Sequence, residues 1–443
     1  MADVVGRRVA AGCVLALAAA GCGAGSARPP AAPADGTITL VTGVDLSQGG
    51  IRGQLIGLWN RQHPDHPVRI VELPSSADLQ RSQMLAAEQS GNTSYDVLNL
   101  DVTATAEFAE DHAIQPLPAG MVPDTDFFDG SRKSVTWHGR SWAVPFNADA
   151  GLLYYRKDWL DSIAEGPPST WDDLKSDYKS LQDAHPELRA AYVTQLREYE
   201  GLTVNALEAA QASGESDLSA RPSNGLKRLA DDIHDGTILN DSLFDDESAS
   251  VQAFLHGQVA FMRNWPFAYD VLAGAMSPAQ FGVWPLPSRT GGQANADRSV
   301  LGGQNLAVAA HSRNTHWALG LIKFLTGPGS ERCLLERGGL AAARPAVYDD
   351  GGGTCPLPAT GPGAAGPSAE SGGTSLFADK PALRTLRTAL TRARARPVTP
   401  YYPEVSYQIQ HTVSAMLNTQ DTPSVDRDAA ALPKALRRAR QGR

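Results

Sequence analysis

The chain alternates between short apolar stretches with a two-residue period and longer stretches with a helical period. Three stretches rich in β-branched and aliphatic side chains are typical of strands, namely residues 37–43, 68–73 and 95–101. Two stretches between them have the 3.6-residue period of amphipathic helices, namely residues 51–62 and 78–89. Strands that alternate with helices indicate crossover connections, so the pattern predicts an α/β fold with a mostly parallel sheet.

The alternation continues through the middle of the chain. Apolar residues 142–146 and 152–155 flank the polar segment 147–151, which we expect to form a loop tip. A helix is predicted over residues 171–181, with Thr170 as its N-cap. Further helices are predicted over residues 203–233, 248–257 and 314–325, and short strands over residues 259–262, 281–284 and 306–309.

The last quarter of the chain changes in composition. Residues 351–373 are rich in Gly, Ala, Pro and Ser, which predicts a flexible insertion. Helical patterns return over residues 380–395 and 405–417, and from residue 424 to the end. A chain of 443 residues is too long for one compact core, so we expect two lobes.

The first 36 residues have the pattern of an export signal. Two arginines precede an apolar run over residues 9–20, which is shorter than the roughly 20 residues that span a bilayer. A run of this length that ends in small residues predicts a signal peptide over residues 1–21. Cys22 follows directly, which resembles a bacterial lipobox, and residues 22–36 are then a lipidated N-terminus and flexible linker. The alternative is a plain secreted protein.

Composition narrows the classes of partner and cofactor. The net charge of −9 argues against nucleic acid, because phosphate binding needs clustered cations. No Cys or His spacing fits zinc, so we expect no metal and no cofactor. Once the signal and Cys22 are set aside, Cys333 and Cys355 remain. In an oxidising compartment they either form a disulfide or stay two unrelated thiols, with Cys333 buried in a helix.

No catalytic motif occurs in the chain: it has no nucleophile elbow, no phosphate-binding loop and no dinucleotide fingerprint. Asp101 ends a buried strand, where it either faces a ligand or caps the next helix. Asp149 is a ligand residue or a turn residue that bonds its own backbone. Trp265 precedes a proline, which keeps it extended, so its ring either stacks on a sugar or packs in the core. Arg396 offers a guanidinium fork for hydroxyls or acids, or is a surface charge.

Four segments together resemble the extracytoplasmic sugar-binding proteins of ABC importers, in particular the trehalose/maltose-binding branch and its lipoprotein relatives. They are DAGLLYYRKD at 149–158, MRNWP at 262–266, LGG at 301–303 and ARPVTPYYP at 395–403. The resemblance runs from about residue 37 to 418 and implies a type II periplasmic-binding-protein-like fold, with the ligand cleft between two lobes. The implied lobes are residues 37–147 plus 300–343, and residues 148–299 plus 344–443.

The resemblance also implies a set of ligand contacts. Carboxylates and arginines take sugar hydroxyls, a tryptophan stacks on the sugar and a glycine lets the backbone approach; the implied residues are Arg81, Asp101, Asn147, Asp149, Trp265, Gly303, Gln304 and Arg396. Asn147 and Gln304 stand where the trehalose/maltose binders have aromatic residues, so the pocket is expected to be more polar. Asp45 or Gln48 takes the place of a family acid near the first strand.

The function implied by the resemblance is a lipid-anchored receptor on the outer face of the bacterial cell membrane. It binds a disaccharide such as trehalose or maltose, closes on it and delivers it to a permease whose ATPase is a separate subunit. We expect a monomer without enzymatic activity. The main alternative, suggested by Asn147 and Gln304, is the same receptor for another oligosaccharide, a polyol or a glycosylated compound. The remote alternative is an exported glycosidase that uses Asp101 and Asp149 as its carboxylate pair.

Overall fold

The structure is a computed structural model that describes residues 36–45, 47–289, 299–358 and 375–443. The predicted signal peptide, the lipidation of Cys22 and the linker lie outside the described residues, as does the predicted flexible insertion beyond residue 358. None of the helices in the described part of the chain is long and apolar enough to cross a membrane.

The strands of this part of the chain are short, as expected for an α/β fold. They are β1 (Ile38–Gly43), β2 (Val68–Leu73), β3 (Val97–Asp101), β4 (Thr136–Trp137), β5 (Arg140–Ser141), β6 (Val144–Ala150), β7 (Leu152–Arg156), β8 (Ala190–Val193), β9 (Val259–Asn264), β10 (Phe281–Trp284) and β11 (Leu301–Val308).

The helices lie mostly in the predicted places. They are α1 (Ile51–Gln62), α2 (Ala77–Gln89), α3 (Thr105–Glu110), α4 (Asp129–Ser134), α5 (Lys157–Ser162), α6 (Trp171–Leu181), α7 (Glu200–Ala212), α8 (Asn224–His234), α9 (Glu247–Leu255), α10 (Ala268–Ala273), α11 (Thr315–Leu325), α12 (Pro328–Arg337), α13 (Lys380–Arg392), α14 (Tyr402–Leu417) and α15 (Thr422–Ala439). Thr170 caps α6 as predicted, in a capping box with Asp173. The helical pattern predicted over residues 203–233 corresponds to two separate helices, α7 and α8.

Two sheets form the framework of the molecule. The first has the strand order β2-β1-β3-β11-β6 and the second has the order β10-β7-β9-β8. Strands β1, β2 and β3 are parallel to one another, but β11 runs antiparallel to both β3 and β6. In the second sheet β8 and β9 are parallel, while β7 is antiparallel to β9 and β10. The predicted parallel arrangement holds for β1, β2 and β3, but both sheets are mixed, because β7 and β11 each receive the chain from the other sheet and run antiparallel to their neighbours.

The segment predicted to be a loop tip, residues 147–151, is the point where the chain passes between the sheets. Strand β6 continues in the first sheet to Ala150, and after Gly151 strand β7 belongs to the second sheet. The loop prediction is wrong because β11 pairs with β6 on one side, and on the other side the backbone N–H of Ala148 donates to the Ala341 carbonyl at 3.1 Å. These distant segments form the hydrogen bonds that the backbone of residues 147–151 needs, and the neighbouring residues in the sequence give no sign of them. The residue ranges predicted for the two lobes stay a prediction.

Two further connections join the sheets, one between β10 and β11 and one in the segment after α12. The latter segment lies beside β6, through an isolated bridge between Asn147 and Ala342. Cys333 of α12 is bonded to Cys355, with their Cα atoms 4.7 Å apart. The bond holds residues 351–358, the described start of the predicted insertion, against α12. This part of the predicted insertion is therefore a fixed loop.

Candidate functional site

A cavity of about 250 Å³ lies where the ends of strands from both sheets meet the first turns of α7 and α9. Seven of the eight predicted ligand residues line it, and they come from separate parts of the chain: Asp101, Asn147, Asp149, Trp265, Gly303, Gln304 and Arg396. Asp45, one of the two candidates for the acid near the first strand, also lines the cavity, whereas the side chain of Gln48 lies outside the description. The fold thus brings together Asp101 and Arg396, which are 295 positions apart in the chain.

Arg81 is the predicted ligand residue that does not line this cavity. It lies on α2, and its Nη1 is 3.3 Å from Oε1 of Glu107 on α3. Burial raises the pKa of the Glu107 carboxyl to about 7, and Arg81 opposes that rise. In the structure Arg81 therefore pairs with an acid of the helix α3.

Strand β6 contributes an amide and a carboxyl to the same face of the cavity, because side chains two residues apart in a strand point the same way. Asn147 Nδ2 donates to Asp149 Oδ2 at 3.1 Å. The buried Asn147 Oδ1 has no hydrogen-bond partner among the described residues. Burial, followed by the weaker effect of nearby Asp101, raises the pKa of Asp149 to about 7 against the opposing effect of Arg263. The pair therefore offers a ligand the unpaired acceptor Asn147 Oδ1 next to the Asp149 carboxyl.

The double glycine at the start of β11 lets the backbone pass close to β6 and to Trp265. Gly303 has a φ of +108°, and a Cβ there would lie 2.3 Å from the carbonyl oxygen of Asn147. A Cβ on Gly302 would lie 3.1 Å from the ring of Trp265. Only glycine fits these positions without displacing backbone or ring. The next residue, Gln304, accepts a hydrogen bond from Asn99 Nδ2 at 2.7 Å, which fixes its carbonyl group within the first lobe.

Trp265 follows β9, as predicted, and its ring is held on several sides. Its Nε1 donates to Glu247 Oε1 at 3.3 Å. The guanidinium carbon of Arg263 lies 3.8 Å from the ring centroid and covers one face. A tryptophan fixed in this way at a cavity wall can offer its remaining apolar surface to the C–H groups of a ligand.

Arg396 connects the two sides of the cavity through ion pairs. Its Nη2 donates to both carboxylate oxygens of Asp101 at 3.1 and 3.3 Å, and its Nη1 donates to Glu200 Oε1 at 2.5 Å. Asp101 ends β3 of the first sheet, and Glu200 begins α7 beside the second. Burial raises the pKa of Glu200, while Arg396 opposes the rise. The predicted sugar-binding arginine is thus held by one acid at the end of β3 and one at the start of α7, and its buried Nε has no partner among the described residues.

Asp101 lines the cavity, as one of its two possible roles requires, but it does not cap α3, whose N-cap is Ala104. Its Oδ1 accepts hydrogen bonds from the backbone N–H and Oγ1 of Thr103, at 2.9 and 2.7 Å, in a local turn before α3. Its carboxylate also meets Arg396 and lines the cavity.

Sequence reasoning missed three acids of the cavity, namely Glu200, Asp246 and Glu247. Glu200 and Glu247 are each the first residue of a helix and Asp246 is the N-cap of α9, positions where an acid is favoured by the positive end of the helix dipole. The predicted helices begin later, at 203 and 248, so all three acids fall outside the predicted elements. An acid at a predicted helix start after an apolar strand is the signal that could have found them.

The cavity is lined by more acids than bases. Six carboxyl side chains and three arginines line it. Arg396 is paired as described, Arg197 contacts Asp246 at 3.2 Å, and Arg52 donates to Thr42 Oγ1 and to the Gly43 carbonyl, both at 2.7 Å. The surface therefore suits a ligand rich in hydroxyl donors. Within the described ranges no group of three or more His, Cys, Asp or Glu side chains is arranged to hold a metal ion.

Comparison with known proteins gives one family. Residues 46–332 match the family described as bacterial extracellular solute-binding protein. The chain is 30% identical over 288 residues to a probable ABC transporter-binding protein of Deinococcus radiodurans, which covers 60% of this chain and 66% of that protein. It is 27% identical over 119 residues to an arabinooligosaccharide-binding protein of Halalkalibacterium halodurans, which covers 26% of this chain and 27% of that protein. The chain thus matches about two thirds or less of the length of these relatives.

Among solved structures, the chain resembles maltose-bound MalE3 of T. maritima. The two share a TM-score of 0.75 and 29% identity, and the match covers 92% of this chain and 99% of the other. Two lobes built on mixed sheets, with the candidate cavity between them, are therefore a known architecture.

Proposed function

We propose, from the premise that this chain belongs to the bacterial extracellular solute-binding protein family, that it is the substrate-binding component of an ABC importer for a sugar. The family and the structural neighbour are transport-related binding proteins, and the chain is not an enzyme. The predicted family resemblance and the predicted two-lobed α/β fold are confirmed. The glycosidase alternative has no further support.

The observation that carries the proposal is the composition of the cavity wall. Carboxylates of Asp101, Asp149 and Glu247 can accept hydrogen bonds from sugar hydroxyls, and charged acceptors make the stronger bonds. Trp265 supplies an apolar surface for the opposite side of a sugar ring. A volume of about 250 Å³ is just below the roughly 300–1,000 Å³ of common ligand pockets, which favours a small ligand. A disaccharide such as trehalose or maltose is the ligand we propose.

Selectivity would come from the same buried polar groups. A sugar that fails to supply a donor to Asn147 Oδ1 leaves a desolvated acceptor unpaired, at a cost of about 1–3 kcal/mol. The lobes would close about the three connecting segments and enclose the sugar. Closure would then determine which form of the protein docks on the permease.

Membership of an extracellular family implies that the chain works outside the cytoplasm. We propose that Cys22 carries the lipid that keeps it at the outer face of the membrane, since stable retention needs more than one acyl chain. The tether raises the local concentration near the permease, and ATP is hydrolysed by another subunit. We propose that the protein acts as a monomer.

Asn147 and Gln304 support the second candidate ligand class, which is another oligosaccharide, a polyol or a glycosylated compound. Both amides line the cavity at positions where the resemblance leads one to expect aromatic rings. A wall with two amides presents more hydrogen-bonding groups and less stacking surface. This favours a ligand with more exposed hydroxyls than maltose.

Calorimetric titration of the mature protein with a sugar panel tests the proposal. The panel contains trehalose, maltose, a longer oligosaccharide and mannitol. We expect one of them to bind at micromolar Kd, and Trp265→Ala to weaken it by about thirtyfold, the effect of roughly 2 kcal/mol at a buried tryptophan. Trp137→Ala, which changes a ring of the β4–β5 hairpin outside the cavity, is the matched control. Absence of binding to every compound would refute the proposed function, and binding of another sugar alone would exclude trehalose and maltose.

A further inference from the structure

A buried ion pair lies behind the cavity wall, between β9 and α7. Arg263 Nε and Nη2 donate to the two carboxylate oxygens of Glu208, both at 2.9 Å. The side chains are 1% and 7% exposed, and neither residue lines the cavity. A buried pair of this kind is weak evidence for stability, because desolvation of both charges offsets most of their attraction. Stabilisation of the fold alone therefore does not account for the burial of these two charges.

The arginine is fixed in orientation by more than its counter-ion. Arg263 Nη1 donates to Gln195 Oε1 at 3.2 Å, and Gln195 Nε2 in turn donates to the Arg263 carbonyl at 2.9 Å. The guanidinium plane is thereby set at 3.8 Å from the ring centroid of Trp265. The bidentate geometry is available to arginine and not to lysine, so this orientation depends on the planar fork.

The carboxylate of Glu208 also contacts two of the segments that connect the lobes. Its Oε1 accepts the backbone N–H of Val300, at the entry to β11, at 3.1 Å. At Gly151 a Cβ would lie 2.4 Å from Oε1 of Glu208 and 2.9 Å from Nη2 of Arg263. Ser299 Oγ donates to the Gly151 carbonyl at 2.6 Å and joins these two segments to each other.

Helix α7 connects this network to the candidate cavity. Glu208 lies two turns after Glu200 on α7, and Val204 between them lines the cavity. One face of α7 thus runs from the ion pair with Arg396 to the ion pair with Arg263. The network touches the stacking ring on one side and the connecting backbone on the other.

We propose that Arg263 and Glu208 are a positioning pair, which sets the ring of Trp265 relative to the connecting segments at Gly151 and Val300. In this role the pair makes no contact with the sugar. It holds the ring at the position where the sugar would stack when the lobes close. Because the same pair contacts the connecting segments, the position of the ring is coupled to the position of the lobes. The proposal rests on the proposed function as far as the sugar is concerned, but its statement about the ring holds for the free protein as well.

The chain contains a matched control for this arrangement. Arg289 also forms a buried ion pair, with Asp232, and its guanidinium carbon lies 4.1 Å from the ring centroid of Trp171. Neither Arg289 nor Trp171 lines the candidate cavity. Arg263→Lys and Arg289→Lys therefore make the same chemical change beneath two different tryptophans, one at the site and one away from it.

The experiment compares these variants, with Glu208→Gln as a second change at the pair. Sugar affinity is measured by calorimetry and the melting temperature is measured without ligand. We expect Arg263→Lys to weaken binding of the sugar identified by the panel about tenfold, and Arg289→Lys to leave the affinity within twofold. The two variants should lower the melting temperature by similar amounts. Equal affinity losses in the two variants would overturn the proposal, since they would reflect stability alone.

A second readout does not depend on the sugar. With 5-fluorotryptophan incorporated, the eight tryptophans give separate ¹⁹F signals, and Trp265→Phe and Trp171→Phe assign the two of interest. In the free protein Arg263→Lys and Glu208→Gln should shift the Trp265 signal, and Arg289→Lys should shift the Trp171 signal instead. An unchanged Trp265 signal in both pair variants would overturn the proposal. If no sugar binds the unaltered protein, the proposed function fails, while this measurement still decides the role of the pair.

Discussion

We predict that Asp149 makes the affinity for the proposed sugar ligand depend on pH. Its pKa is raised to about 7 in the free protein, first by burial and then by Asp101. A sugar hydroxyl that donates to Asp149 stabilises the ionised carboxylate, so the sugar binds that form more tightly. We therefore expect affinity to rise with pH by up to about tenfold per unit below pH 7, and to level off above it.

The same carboxyl affects stability in the opposite direction. Its folded-state pKa of about 7 lies above the ordinary value of 3.8, so the folded state holds the proton more tightly than the unfolded state. Stability of the ligand-free protein is then lost as pH rises from about 4 through 7. The full difference between the two pKa values corresponds to at most about 4 kcal/mol in the free energy of unfolding. Because Asp149 is partly exposed to water in the cavity, we expect about 2 kcal/mol.

Asp149→Asn separates the two effects. The variant should bind sugar about 10- to 100-fold more weakly at pH 8, the loss of a charged acceptor, with an affinity nearly independent of pH. Without ligand it should unfold at higher denaturant concentration than the unaltered protein at pH 8, and at a similar concentration at pH 4. The assays are calorimetry between pH 5.5 and 8.5, in buffers of different ionisation enthalpy to count protons released, and urea unfolding over the same range.

Glu107→Gln is the control for this prediction. Glu107 also has a pKa raised to about 7 by burial, but it does not line the cavity. Its replacement should alter the pH dependence of stability and leave that of sugar affinity unchanged. The reasoning is refuted if the unaltered protein binds sugar equally well from pH 5.5 to 8.5, or if Asp149→Asn keeps the full slope.

Two further predictions concern the ion pairs across the cavity and the disulfide. Arg396→Met removes the ion-pair partner of both Asp101 and Glu200, a penalty of about 3–5 kcal/mol that separation of the two sides of the cavity would relieve. Small-angle X-ray scattering should show a larger radius of gyration for the ligand-free variant, and an unchanged radius would contradict the bridging role. Cys333→Ser opens the bond to Cys355, which spans 22 residues, and should lower the free energy of unfolding by about 3 kcal/mol with sugar affinity within threefold. Unfolding in urea measures the loss, and a free thiol in the unaltered protein would show that the bond is not formed.

Local sequence patterns predicted individual elements well wherever the nearest neighbours in the chain decide the outcome. The alternation of β1 and β2 and the capping box of α6 depend on residues a few positions apart, and these elements lie where they were predicted. Strand β8, with the short sequence AAYV, was not predicted, because it gains its strand conformation from pairing with β9. The polar residues of β6 were predicted as a loop for the same reason, since their partners lie about 150 and 190 residues further along the chain.

The candidate site shows the same division. Motif resemblance supplied Asp149, Trp265 and Arg396, because these residues stand in short segments whose order along the chain is characteristic. It could not show that Arg396 would be held between Asp101 and Glu200, since an ion pair depends on where two side chains arrive in space. Nor could it show that Arg81 would turn to Glu107, which lies on the neighbouring helix α3.

By itself the sequence determined the export pattern, the succession of strands and helices and the residue types that a sugar site requires, since each of these is a property of neighbouring residues. Only the tertiary structure decided which strand joins which sheet, which carboxyl is buried enough to change its pKa, and which charges pair across the cavity. Burial and long-range pairing depend on desolvation and on distances between segments, and a linear chain contains neither until it has folded.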